Sequence, residues 1–203
     1  AILTGQHIWR LEEAGNIHST LPKKFITYTE VLEKAGYAIG FTGKRWSSGR
    51  LSAGGRDSNP AGKEFGKRRL EPPFRGRRDM DYAAKSDDFL RQVRKDQPFC
   101  FWLGGHEPHR AFEKGIGLKQ GRKLEDADVP AFLPDTPEIR SDILDYYAEI
   151  EWFDSHLARA LAKLEELGEL DNTLVIVTSD NGMAFPRAKA NCFEFGVHVP
   201  LAI

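Results

Sequence analysis

Three apolar runs in this sequence end on residues that can do chemistry. Phe41-Thr42 leads into Gly43-Lys44, and the run Phe99 to Leu103 empties into Gly104-Gly105-His106-Glu107-Pro108-His109-Arg110. Thr173 to Thr178 gives way to Ser179-Asp180-Asn181-Gly182. Asp180 and Asn181 offer an anionic and a neutral oxygen on adjacent residues, hard donors of the kind Ca²⁺ prefers, and Gly182 lets the backbone turn sharply beside them. The same tripeptide can also be an Asx-type turn that closes a strand. His106 and His109 lie three apart around a Pro, which argues for a loop presenting both rings rather than a helical metal face. A His in such a loop can give a proton to a leaving group near neutral pH, or simply be solvated. Zinc would recruit Cys or further His, and none is nearby in sequence. Lys44 and Lys189 each follow a strand-loop junction, where an ammonium can hold an anion as a point charge or remain a surface lysine. Between Lys44 and Arg78 eleven Lys/Arg stand against three acids, a local cationic excess in a chain whose formal net charge is -1. That excess points to an anionic partner or to a solvated face. The interleaved aromatics are few (Trp46, Phe65, Phe74), so base stacking has little support and nucleic acid is not an expected partner.

These residues need elements to hold them. Thr27-Tyr28-Thr29-Glu30 has capping-box spacing and predicts a short helix that stops at Gly36, followed by a strand over Tyr37 to Thr42. From Gly43 to about Arg78 the chain is rich in Gly, Ser, Pro and Arg without periodicity, which predicts an irregular surface excursion. Ser86 predicts the cap of a helix with Phe89, Leu90 and Val93 on one face, stopped by Pro98 ahead of a buried strand over Phe99 to Leu103. Thr136-Pro137 opens a long amphipathic helix, with apolar residues recurring from Ile139 through Leu164 and an end near Gly168. Thr173 to Thr178 reads as a further strand. Strands alternating with helices argue for an α/β sandwich with a mainly parallel sheet. In such sheets ligands bind beyond the carboxyl ends of the strands, which is where the three loaded segments fall.

Composition bounds the rest. With 203 residues, 40% hydrophobic and 29% charged, the chain is expected to be one globular domain over residues 1–203, and no apolar run reaches the length of a membrane span. Cys100 and Cys192 do not make a disulfide framework. The opening Ala1-Ile2-Leu3-Thr4-Gly5 has no initiator Met and no charged leader region, so a signal peptide is neither shown nor excluded. Val199-Pro200-Leu201-Ala202-Ile203 reads as a strand stopped midway, and both ends are read as cuts through a larger fold.

In this order the motifs resemble those of the formylglycine-dependent sulfatases of the alkaline-phosphatase superfamily. Ala1 to Gly5 looks like the tail of the signature in which C-x-P-S-R is followed by an apolar pair and T-G. Glu30 to Tyr37 and then Phe41-Thr42-Gly43-Lys44 are similar to the family's helix and G-K motif. His106-Glu107-Pro108-His109 resembles its H-x-P-H loop, and Thr178 to Gly182 its metal-binding S-D-N-G motif. Lys189, with Glu194 to Pro200 behind it, resembles the segment that supplies a sulfate-contacting lysine. Within the family the text is most similar to the heparan N-sulfatase branch.

The resemblance implies an alkaline-phosphatase-like three-layer α/β sandwich with a mainly parallel central sheet, present here as a partial domain. It implies hydrolysis of sulfate esters or sulfamates of heparan-type sugars by a metal-assisted covalent mechanism. Asp180 and Asn181 would ligate one Ca²⁺, Lys44 and Lys189 would grip sulfate oxygens, and His106 would assist the leaving group. His109, Arg110 and His198 would face the substrate. The formylglycine nucleophile and the family's other metal-binding aspartates are expected upstream of Ala1, so the 203 residues alone are expected to be inactive. A sulfated saccharide is the expected partner, with no membrane, and an extracytoplasmic location (periplasmic, secreted or lysosomal) is implied. Two departures stand out. Gly43-Lys44-Arg45-Trp46 replaces the common G-K-W-H, and His198-Val199-Pro200 replaces R-V-P. A phosphatase or phosphonate hydrolase of the same superfamily, or a non-catalytic polyanion-binding relative, are the alternatives.

Overall fold

Thr27 starts the first helix, α1 (Tyr28–Lys34), through both halves of the expected capping box. Its hydroxyl accepts from the Glu30 N–H, and the Glu30 carboxylate accepts from the Thr27 N–H at 2.8 Å. The computed structural model describes residues 1–15, 18–46, 49–76 and 78–203. They fall into two compact units, the first comprising Ala1–Arg69 with Met80–Gly105 and the second Leu70–Asp79 with His106–Ile203.

In the first unit β1 (Ala38–Gly43) is central. It pairs in parallel with β2 (Lys63–Glu64) on one side and β3 (Phe99–Gly104) on the other, in register from Ala38 opposite Phe99 to Gly43 opposite Gly104. The parallel sheet agrees with the α/β expectation. β2 lies inside the segment expected to be irregular. It is two exposed charged residues long and has no apolar alternation to reveal it. β3 is half-buried along most of its length rather than buried.

The cationic segment is also not one solvated face. Arg56 is 5% exposed, donating through Nε to the Leu21 carbonyl at 2.9 Å, through Nη1 to Glu30 at 2.9 Å and through Nη2 to the Phe25 carbonyl at 2.6 Å. Arg77, counted in the same segment, lies outside the described residues. The next helix, α2 (Tyr82–Leu90), is capped by Asp81, whose carboxylate accepts from the Ala84 N–H at 3.0 Å. Ser86, the expected cap, is instead buried within the helix and donates to the Ala83 carbonyl at 2.7 Å, and Val93 lies past the helix end. Asp is as good a cap as Ser, and starting there lets the helix bury Tyr82 and Phe89. Phe89 meets Phe65 edge-on at 5.4 Å and Phe101 at 4.8 Å.

The second unit is built on the long helix, in which α3 (Ile116–Lys119) packs against α4 (Pro137–Glu166). α4 keeps its expected cap at Thr136 and its Pro at the first turn. Its Asp145 accepts from the Gly115 and Gly117 N–H groups, both at 2.8 Å, which seats α3 on α4. Ile143 and Leu144 join Ala127, Leu133 and Phe185 in this unit's core. β4 (Val177–Thr178) is shorter than expected, since pairing reaches only these two residues, and α5 (Glu194–Val197) precedes β5 (Leu201–Ala202), the antiparallel partner of β4. Among the described residues no helix is long and apolar enough to cross a membrane.

Candidate functional site

Lys44 belongs to the first unit. β1 ends on Gly43, whose φ of +67 lies in the left-handed region that Gly adopts without strain. The chain turns there, and the Lys44 N–H donates to the Gly104 carbonyl at 2.6 Å, so the lysine leaves the carboxyl edge of the sheet at a fixed point. Trp46 follows, half-buried against the cluster of Leu3, Phe41 and Ala61. Its carbonyl accepts from Asn59 Nδ2 at 2.9 Å. Where the resembling family carries a His, this chain has a packing residue. Cys100, on β3, is half-buried, and burial pushes its thiol up from the ordinary value while a hydrogen bond with Tyr28 pulls the other way. That environment disfavours the thiolate, the form that attacks.

The remaining candidates lie in the second unit. The loop after β3 turns on itself, with the His109 N–H donating to the His106 carbonyl at 3.0 Å. His106 is half-buried and His109 exposed, the latter's Nδ1 being 2.5 Å from the Arg110 carbonyl. Glu107 between them is 8% exposed and accepts from the Arg78 N–H at 3.0 Å, so it anchors the loop from within. Arg110 donates through Nη1 to Asp142 at 3.0 Å, through Nη2 to the same carboxylate, and through Nε to the Ala184 carbonyl at 2.8 Å. Sequence reasoning did not single out Asp142. An acid one residue before a core Ile on an amphipathic helix looks like any solvated position.

Asp180 and Asn181 follow β4 after a single residue, Ser179. Ser179 Oγ donates to the Asn181 carbonyl at 2.8 Å, and Asn181 Nδ2 to Asp180 Oδ1 at 2.5 Å, so a local turn holds both side chains together. Gly182 is explained differently from the sequence expectation. Its φ is not in the left-handed region; instead its N–H donates to the Gly196 carbonyl at 3.1 Å, and a Cβ there would collide with the Phe195 carbonyl. Lys189 is brought back to this turn, its N–H donating to the Met183 carbonyl at 3.0 Å. His198 ends α5 exposed, with Nδ1 2.6 Å from Glu194 Oε1.

Adjacent carboxylate and amide oxygens suit a hard cation in kind. Ca²⁺ takes six to eight oxygens, and among the described residues no group of three or more His, Cys, Asp or Glu converges that could hold a metal. Asp180 and Asn181 therefore fit part of a Ca²⁺ site.

The fold has close counterparts among solved structures. A putative sulfatase, yidJ, from Bacteroides fragilis superimposes with a TM-score of 0.69 at 21% identity, covering 98% of this chain and 55% of that one. The fold is thus α/β and alkaline-phosphatase-like. The family profile described as Sulfatase matches residues 1–203, and the chain belongs to that family. Human N-sulphoglucosamine sulphohydrolase is 32% identical over 133 residues, 55% of this chain and 26% of that protein. Arylsulfatase K of Rattus norvegicus is 26% identical across 94% of this chain and 43% of its own length. The chain therefore spans between about a quarter and under a half of these curated relatives.

Proposed function

We propose that this sulfatase-family protein hydrolyses sulfate esters or sulfamates on heparan-type saccharides, with residues 1–203 forming part of its catalytic domain. The observation that carries the reading is the turn after β4, where Asp180 and Asn181 sit side by side and the Lys189 N–H returns to Met183 in the same loop. Asp180 and Asn181 would hold Ca²⁺, which when bound would draw charge from the transferring sulfuryl group. The Lys44 and Lys189 ammonium groups would each neutralise sulfate oxygens, charge stabilisation of the kind that contributes most to such barriers. His106 would donate a proton to the departing oxygen or nitrogen as its bond to sulfur breaks. His109 and His198 would face the saccharide. Neither Cys100 nor Cys192 stands in a C-x-P-S-R signature, so the formylglycine nucleophile is assigned to sequence beyond these residues. An extracytoplasmic location goes with this reading.

The cationic segment is what supports a heparan-type substrate in this reading. Lys63, Lys67, Arg68, Arg69, Arg75 and Arg78 are exposed, and Arg forks bind sulfate or carboxylate oxygens in pairs. Steady-state kinetics of the full-length protein on a sulfated glucosamine saccharide and on an aryl sulfate test this. The saccharide is expected to be the better substrate, with an advantage that shrinks as salt screens the segment. Neutralising Arg68, Arg69 and Arg75 together should raise KM for the saccharide roughly three- to tenfold, at about 0.2–0.5 kcal/mol for each exposed charge. Equal efficiency on both substrates, unmoved by these substitutions, removes the heparan assignment and leaves the sulfatase reading standing.

A further inference from the structure

The Arg110 guanidinium, its side chain still 40% exposed, meets four groups of the second unit. Asp142 on α4 takes Nη1 and Nη2, the Ala184 carbonyl takes Nε, and the rings of Phe112 and Phe185 lie 4.4 and 4.7 Å from the guanidinium carbon. Each anchor has its own support. Asp142 precedes the core residues Ile143 and Leu144 on α4, and Phe185 is 5% exposed in that same core. Ala184 lies in a loop closed by two N–H groups, those of Phe185 and Lys189, on the Met183 carbonyl at 2.9 and 3.0 Å. That loop begins at the Asp180-Asn181-Gly182 turn, and Arg110 itself ends the His106–His109 loop.

We propose that Arg110 and Asp142 form a positioning clamp that fixes the loop carrying Asp180, Asn181 and Lys189 against the His106–His109 loop, so that Arg110 acts through the metal-binding turn and not on the substrate. The proposal rests on the reading of that turn given above. A planar fork with a carboxylate at one edge, a carbonyl at another and aromatic rings beside it is already engaged as such groups engage an anionic ligand. A substrate sulfate seeking the paired contact across Nη1 and Nη2 would have to displace Asp142. Lysine cannot replace it, because an ammonium makes neither the paired contact nor the planar stack.

The test uses the full-length protein with Asp142→Asn, which keeps the shape and removes the charge, and Arg110→Lys, which keeps the charge and removes the fork. Three readouts are needed: Ca²⁺ affinity by calorimetry, kcat and KM separately, and amide hydrogen exchange at Phe185 and Lys189. Both variants are expected to weaken Ca²⁺ binding roughly 10- to 100-fold, the range for groups that orient a ligand without touching the metal. Both should lower kcat with little change in KM and speed exchange at the two amides, and the double variant should be no worse than the poorer single one. A rise in KM alone for Arg110→Lys, with Asp142→Asn silent in every readout, overturns the clamp and makes Arg110 a saccharide ligand. Unchanged exchange in Asp142→Asn overturns it whether or not the wild type releases sulfate. Absence of wild-type turnover counts against the sulfatase reading alone.

Discussion

At the scale of single residues, Asp180 carries the sharpest consequence. Asp180→Ala in the full-length protein removes an anionic oxygen from the turn, and bound Ca²⁺ and turnover should fall together. The loss should exceed the roughly 10- to 100-fold typical of groups that only support a ligand. Metal content by elemental analysis beside the rate checks it; wild-type values for both would return Asp180-Asn181-Gly182 to an ordinary Asx turn. The positions of Lys44, His106, His109, Asp180, Asn181 and Lys189 at strand ends and in loops were legible, because apolar runs that stop abruptly on ionisable residues mark such junctions. The partners of Arg110 were not. Asp142 is separated from it by 32 residues, and no local pattern encodes a contact that depends on how a helix and two loops pack.

At the scale of elements, the helix starts were readable to the extent that their caps were. Thr27 and Thr136 act as their sequences suggest, whereas α2 starts at Asp81 because two competent caps were available and burial of Tyr82 chose between them. β2 could not be found, since two charged residues carry no period. Arg56 is the larger surprise. Its side chain is 4% exposed and ties Glu30 at the start of α1 to the carbonyls of Leu21 and Phe25. Arg56→Ala would take the donor from those carbonyls and from Glu30 Oε1, leaving Thr27 as the carboxylate's remaining partner, and stability should drop by about 3 kcal/mol. Thr27→Ala, which removes one capping hydroxyl, should cost about 1 kcal/mol. Burial acts to raise the Glu30 pKa, but hydrogen bonds from Thr27 together with Arg56 outweigh it and hold the carboxyl below its ordinary value. A depressed carboxylate stabilises the fold above its unfolded-state pKa and loses that contribution as pH falls through the folded value. The gap between wild type and Arg56→Ala in denaturant midpoint should therefore be wide at pH 7 and shrink as pH falls below the ordinary carboxylate range.

At the scale of the whole molecule, composition indicated a globular chain and the alternation of strands with helices its α/β class, while the division into two units was not expected, because its boundaries at 69/70 and 79/80 lie at an irregular stretch that reads as a surface excursion of one domain. The net charge of -1 hides the cationic segment, so the salt dependence expected for saccharide turnover is a local property. The 203 residues purified alone are predicted to release no sulfate: neither cysteine stands in the nucleophile signature, and burial disfavours the Cys100 thiolate. Release above background would place the nucleophile within this sequence. The close approach of Gly182 and Gly196 sets a further limit. A Cβ at Gly182 would strike the Phe195 carbonyl, and one at Gly196 the carbonyls of Ala188 and Asn191. Three stretches of main chain thus touch with no side chain between them: the turn at Asp180-Asn181-Gly182, the stretch on either side of Lys189, and the segment leading to His198. Under the proposed function, specificity and metal retention are then inherited as one trait. A descendant that shifted the 193–198 backbone to admit a different sugar would disturb Asp180 and Asn181 in the same step. New preferences at this edge are open only to exchanges of outward-facing side chains, such as His198 itself, that leave the glycine contacts where they are.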